Sequence, residues 1–349
     1  MNNLLLEKVL KGKRLSQDEI FGLFQLDLLS LANIASQVKQ RKHSHNMITY
    51  IIDRNINYSN ICVSGCKFCA FYRKKDDPES YTLAKEEIFK KIDELISKGG
   101  CQILMQGGLH PDHSLDFYED LVREIKARFD IHIHAFSPPE IVHIANISSL
   151  SIEDVIVRLK DAGLGSIPGG GAEILSNKIR KRISPNKCTA DDWINVMRLA
   201  HKIGLRTTAT MMFGHIETLE DRVVHLLKIR ELQDETGGFT AFIPWTFQPK
   251  NTQLKRASVS SYDYLRTLAI SRIALENFEN IQASWVTQGD KIAQIALFFG
   301  ANDMGSTMLE ENVVRAAGVS FQMTEAQICR LIEDIGLIPR RRDTLYNLL

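Results

Sequence analysis

From residue 47 onward the chain repeats one unit: a short β-rich run, a capped helix, and a glycine that ends the helix. This alternation restricts the fold more than any other feature of the sequence. The β-rich runs are 47–53 (MITYIID), 101–106 (CQILMQ), 131–136 (IHIHAF), 164–168, 206–212 (RTTATMM), 239–243 and 281–286 (IQASWV), with a weaker one near 300–303. Between them lie helical stretches. One starts near Leu83 and stops at Gly99-Gly100, and another runs from about Asp116 to Phe129. A third is capped by Ser151 with Asp154, and a fourth by Thr189 with Asp192, ending at Gly204. A fifth opens at Thr218 and ends at Gly237-Gly238, and a sixth lies near Tyr262–Phe278. Caps before and glycines after are the signals of helix starts and stops. Strands alternating with helices of this length imply parallel strands joined by right-handed crossovers. Eight of them predict a closed (β/α)8 barrel of the TIM type rather than an open doubly wound sheet.

The domain plan follows. Residues 1–46 form a helical preface, in which Ser16 and Glu19 make a capping box and a helix runs from about Gln17 into the basic segment Lys39–His45. The barrel spans 47–310. Residues 311–349, with a helix over Thr324–Ile335, form a C-terminal helical segment packing on the barrel. Of 349 residues, 43 are Lys or Arg and 42 are Asp or Glu, so no global charge favours nucleic acid or an anionic membrane. No apolar run reaches the roughly 18 residues of a spanning helix, and Met1–Leu10 lacks the pattern of a secretion signal. A cytoplasmic protein is expected.

Three of the six cysteines, Cys62, Cys66 and Cys69, crowd into one loop directly after the first strand; Cys101, Cys188 and Cys329 are scattered. A disulfide framework would spread them through a smaller secreted domain, so the crowding points to a metal centre. The spacing is C-x3-C-x2-C with Phe68 before the last cysteine. In a parallel barrel this loop lies on the catalytic face. Three thiolates suit three irons of a cubane and leave one iron for a small molecule. A structural zinc site wants four protein ligands, and only His110, His113, His132 or His134 stand by to complete one. A cluster used only for electron transfer is the other alternative.

The loop, RNINYSNICVSGCKFCAFYR, resembles that of the radical S-adenosylmethionine (SAM) superfamily. The resemblance extends through LMQGGLHPD, IHAFSPPEI, PGGGAEIL, FIPWTFQPKNT and GANDMGSTMLEE to the futalosine-pathway enzymes of menaquinone biosynthesis, relatives of the deazaflavin synthase subunits. Phe71-Tyr72-Arg73 and Pro244–Pro249 resemble the cyclase branch most; the aminofutalosine synthase branch, whose radical adds to an enol ether, is the alternative. A non-catalytic iron–sulfur sensor is a further one. The resemblance implies a [4Fe–4S] cluster on Cys62, Cys66 and Cys69, with SAM on the open iron. It implies an adenosyl radical that takes the ribose C4′ hydrogen of dehypoxanthine futalosine, after which the sugar closes onto the benzoate ring. A low-potential donor such as flavodoxin or ferredoxin is implied as partner, with no nucleic acid and no membrane.

The same resemblance assigns strand-end residues. Gln106, Gly107 and Gly108 would face SAM, as would Ser137 and Glu140, which equally read as a helix N-cap with prolines in the first turn. Gly214 and Glu217 resemble the pattern beneath the adenine, and Phe68 flanks the cofactor. Glu173 resembles the glutamate of the fourth strand, against the alternative of a carboxylate at a helix start. Arg180, with Arg182 beyond it, offers a fork for a benzoate carboxylate or belongs to a solvated basic face. His132 and His134 share one face of their strand, so His134 is a candidate proton acceptor or a satisfied core histidine. Tyr58, Gln248, Asn302 and Asp303 sit at predicted strand ends and are candidate substrate contacts.

Overall fold

A computed structural model describes residues 3–43 and 46–349. Ser44 and His45, the end of the basic segment, lie outside the described residues. Ten strands form among the described residues: β1 Met47–Ile51, β2 Asp53–Ile56, β3 Gln102–Met105, β4 His132–Ala135, β5 Ser166–Ile167, β6 Arg206–Phe213, β7 Phe239–Thr246, β8 Asn280–Ile281, β9 Asp303–Ser306 and β10 Ile338–Arg341. Strands β2 to β8 pair in chain order, all parallel. A parallel bridge between Gln282 and Asp303 joins β8 to β9, and β9 pairs with β1. Since β1 and β2 are two halves of one strand around Ile52, the ring closes into the expected eight-stranded barrel.

Local chemistry explains the outer helices. In 190–202, Thr189 and Asp192 cap each other's backbone N–H, and Ala190, Trp193, Val196, Met197 and Ala200 form the buried stripe. In 85–97 the buried set is Ile88, Phe89, Ile92 and Leu95. Each large apolar side chain buried this way contributes about 1.5–3 kcal/mol. Among the described residues no helix is long and apolar enough to cross a membrane.

Three segments differ from expectation. The single preface helix is two, Gln17–Gly22 and Leu28–Lys42, because Asp27 accepts the Ser30 N–H at 2.9 Å and starts a new helix. The run 281–286 is strand only to Ile281; Trp285–Gln288 is helical, with Ser284 and Thr287 hydroxyls joined at 2.8 Å. The C-terminal segment expected to be helical holds helices Val313–Ala316 and Glu325–Glu333 and then β10, which pairs with the lower half of the first strand through Met47↔Ile338 to Tyr50↔Arg341. The tail beyond β10 turns into the barrel's lower end: Arg342 N donates to Tyr50 O, the Thr344 hydroxyl donates to Gln102 Oε1 at 2.5 Å, and Leu349 N returns to Arg341 O.

Candidate active site at the barrel mouth

The cysteine loop leaves the upper end of β2 and is tied down on every side. Cys62 N donates to Arg73 O at 2.9 Å, Val63 N to Leu109 O at 3.0 Å, and Cys69 N to Cys66 O at 3.1 Å. The Cys66 thiol lies 2.9 Å from the Ser64 hydroxyl. All three thiols are free of disulfides. A Cβ on Gly108 would come within 2.1 Å of the Ile61 carbonyl oxygen and 2.9 Å of Cys62 Cβ, so only glycine lets the second strand end pack under the loop. Burial pushes the Cys62 thiol up and the Cys69 thiol to about 11. Thiols held this way become thiolates when a cationic metal centre compensates them. Among the described residues no three His, Cys, Asp or Glu side chains converge on a single ion. A cubane does not need that convergence, because each thiolate takes a different iron. His110 and His113 are stacked on each other, 3.5 Å between ring centres, with the His110 Nδ1 accepting from Asp112 N.

The next strand ends form a linked set. Glu140 is buried and accepts four hydrogen bonds: from the Tyr58 hydroxyl at 2.6 Å, Gly107 N at 3.0 Å, Ser137 N at 2.8 Å and the Ser137 hydroxyl at 2.5 Å. Burial raises its pKa, and those donors counter the rise. The helix N-cap read from sequence is therefore present, here as a Ser137–Glu140 capping box, and it also clamps the Gln106-Gly107-Gly108 strand end. Phe136, just before it, and Glu173 have left-handed backbones, φ 59° and 41°. Two strained non-glycine residues at neighbouring strand ends mark where the fold spends stability to aim side chains. Burial pushes the Glu173 carboxyl up, but Lys187, 2.5 Å away, and Arg180 pull it below the usual carboxylate value. Lys187 also lies 5.3 Å above the Phe68 ring, which brings it beside the cysteine loop.

A cavity of about 280 Å³ runs through the barrel interior beneath these ends, from Gln106, Gly169 and Trp245 near the mouth, past His134 and Trp285, to Gln102, Arg342 and Tyr346 at the floor. The His134 Nδ1 and the His132 Nε2 meet on one hydroxyl, that of Ser166, at 2.6 and 2.7 Å. Burial, then the neighbouring His132 and Arg342, lowers His134 to about 3, so its ring is neutral. Gln248 stands half-buried above β7, donating to Thr246 O at 3.1 Å.

Several candidates prove to be engaged elsewhere. Arg180 is buried and gives its guanidinium to the carbonyls of Gly171, Ala172 and Cys188, so it holds the glycine turn rather than a carboxylate. The Tyr58 ring is fully buried and its hydroxyl committed to Glu140, which removes it from substrate contact. Glu217 accepts from Gly214 N at 2.6 Å and His215 N at 2.9 Å and pairs with Arg222, so it shapes its own turn. Asn302 and Asp303 lie at the start of β9, the lower end. There Asn302 accepts from Arg272 at 2.5 Å and Asp303 takes a two-pronged pair from Arg342 at 2.5 and 3.0 Å. The eighth strand begins three residues later than expected, so these two positions fall at its foot instead of its tip.

The model of the radical SAM superfamily matches residues 56–229, and that of the CofH/MqnC C-terminal region matches 236–349. The chain is 46% identical over 348 residues to the cyclic dehypoxanthine futalosine synthase of Halalkalibacterium halodurans, covering 99% of this chain and 94% of that one. The chain belongs to the radical SAM superfamily, in its CofH/MqnC branch. It is also 46% identical over 308 residues to the 5-amino-6-(D-ribitylamino)uracil–L-tyrosine 4-hydroxyphenyl transferase of Archaeoglobus fulgidus, covering 86% of this chain and 89% of that one. The crystal structure of methylornithine synthase superposes with a TM-score of 0.76 at 19% identity over 97% of each chain, which shows the shared fold.

Membership of the radical SAM superfamily implies an iron–sulfur cluster and SAM. Three free thiols on one loop, packed against a glycine strand end at the mouth of a chamber, are a donor set that fits them. Lys187, Ser166 and the C-terminal tail are the parts of this radical SAM site that sequence reasoning missed. Lys187 stands in a loop with nothing local to single it out; only the fold brings it to Glu173.

Proposed function

We propose that the protein is a radical SAM cyclase that converts dehypoxanthine futalosine to its cyclic form, joining the ribose C4′ to the benzoate ring in menaquinone biosynthesis. The observation that carries this is the 46% identity over 348 residues to an enzyme of that name. The chamber inside the barrel, lined by Trp245 and Trp285, supports it, since a reaction of this kind must be kept from bulk water. Cys62, Cys66 and Cys69 are the residues that would hold a [4Fe–4S] cluster, and SAM would be bound beside it. Bound there, the two cofactors supply the one-electron chemistry that removes a hydrogen atom from substrate.

The chain's own residues bind, orient and move protons. Glu140 fixes the Gly107 amide, and with it the edge formed by Gln106, Gly108 and Ser137 against SAM. Phe68, Gly214 and the turn held by Glu217 close the other side. Glu173, kept ionised by Lys187, sets the charge at the chamber's rim, and Gln248 faces substrate. Ring closure releases one electron and one proton. His134, held at Nδ1 by the Ser166 hydroxyl and lining the chamber, is the residue we assign to take up that proton. The enzyme works in the cytoplasm with a low-potential electron donor such as flavodoxin or ferredoxin.

Anaerobic turnover of reduced, reconstituted enzyme with SAM and dehypoxanthine futalosine tests this. 5′-Deoxyadenosine and a product two hydrogens lighter than substrate should rise together. An adduct formed only with the aminofutalosine synthase substrate, or only with tyrosine and 5-amino-6-(D-ribitylamino)uracil, would move the chain to one of those reactions.

A further inference from the structure

Two further segments meet the cysteine loop, and the charges on all three have one sign. Residues 62–75, 174–190 and 248–261 contain no acidic residue, in a chain that has 43 cations and 42 anions in all. The loops are joined by backbone: Lys67 N donates to Ile183 O at 2.8 Å, and Gln253 N donates to Lys67 O at 2.9 Å. Lys67, Lys181, Arg182, Lys250, Lys255 and Arg256 on these loops are all exposed. Arg73 and Lys75 nearby are neutralised by Glu79 and Asp112, but none of those six forms a salt bridge among the described residues. Unpaired like charges within about a Debye length of 8–10 Å repel one another, so gathering them costs stability that a partner of opposite charge returns.

Electrons reach the cysteine loop from outside the barrel mouth, and transfer weakens steeply with distance, so a donor must sit against this loop. We propose that Lys67, Lys181, Arg182, Lys250, Lys255 and Arg256 form the docking surface for a small acidic one-electron carrier protein. This rests on the electron-donor part of the function proposed above. The carrier gives up one electron and is itself oxidised by one; no atom is transferred. Nucleic acid is the other polyanion that such a rim attracts. It is disfavoured because the cations surround a redox loop and the chain as a whole is close to neutral.

The test compares wild-type holoenzyme with Lys181→Glu/Arg182→Glu and Lys255→Glu/Arg256→Glu. Cluster reduction is followed by absorbance, with acidic flavodoxin hydroquinone as one reductant and dithionite as the other. Reduction of wild type by flavodoxin should slow steeply as salt rises from about 50 to about 300 mM. Each double variant should slow it about tenfold further at low salt, by loss of electrostatic steering. Reduction and turnover with dithionite should stay at the wild-type rate. Wild-type flavodoxin rates in both variants would overturn the docking surface, and so would an equal loss with dithionite. Tight binding of an oligonucleotide that both variants abolish while flavodoxin reduction persists would assign the rim to nucleic acid instead. Dithionite-driven turnover of substrate reports separately on the cyclase reading.

Discussion

At the barrel's lower end Arg342 grips Asp303 with two hydrogen bonds, Thr344 reaches Gln102, and Arg272 ties Gly300 O to Asn302. At the upper end three thiols stand free, Phe136, Glu173 and Met308 hold left-handed backbones, and Gly107 and Gly108 leave no room for a side chain. Both ends are polar and buried and their carboxylates are satisfied by protein partners, but only the upper end also carries three thiols that pair with no other cysteine. Parallel barrels divide labour this way because loops at the strand tips vary freely, whereas the strand feet must seal the core. The comparison also separates two uses of a buried charge. Arg342–Asp303 closes the floor; Glu173–Lys187 sets charge beside the chamber.

The largest expected effect is at the top. Cys66→Ala should abolish SAM cleavage while circular dichroism and melting temperature stay close to wild type; turnover by a well-reconstituted variant would break the three-ligand reading. At the bottom, Arg342→Ala leaves Asp303 buried without its counter-ion. It should cost about 3–5 kcal/mol in denaturant unfolding, the range for removing one partner of a buried pair. A much smaller loss would show that the tail is not the seal it looks like. Gly107→Ala puts a methyl 2.5 Å from the Tyr58 ring and must push that ring off Glu140. We expect a loss of about 1–3 kcal/mol, from strain and a broken hydrogen bond, together with weaker SAM binding by calorimetry. Unchanged binding would detach the Glu140 clamp from the cofactor.

A smaller effect is in acid. The His134 and His132 rings fall from 6.5 to about 3 and about 4, chiefly through burial. Between pH 6.5 and those values the unfolded chain binds more protons than the folded one. Their contribution to stability is therefore complete above pH 6.5 and is lost as pH falls towards 3. The melting temperature should decline over that window, and less steeply in His134→Gln. An identical slope in the variant would place His134 in contact with water.

Much of this was written locally. The capping pairs Ser16–Glu19, Ser151–Asp154 and Thr189–Asp192 act within three residues of themselves, and all are present. The strand–helix alternation and the position of the cysteine loop after the first strand are likewise local, which is why fold and cofactor chemistry were legible. Arg180, Tyr58, Asn302 and Asp303 were not, because their partners lie on other elements. An arginine facing solvent and one spent on three carbonyls have the same sequence signature. The tail's last strand was hidden too, since Ile338–Arg341 contains a proline and two arginines and reads as loop until β1 pairs with it. The sequence by itself determined which groups this protein carries to the mouth of its barrel. The tertiary structure decided which of them remain free for chemistry, because hydrogen bonds and ion pairs between distant segments exist only once the ring has closed.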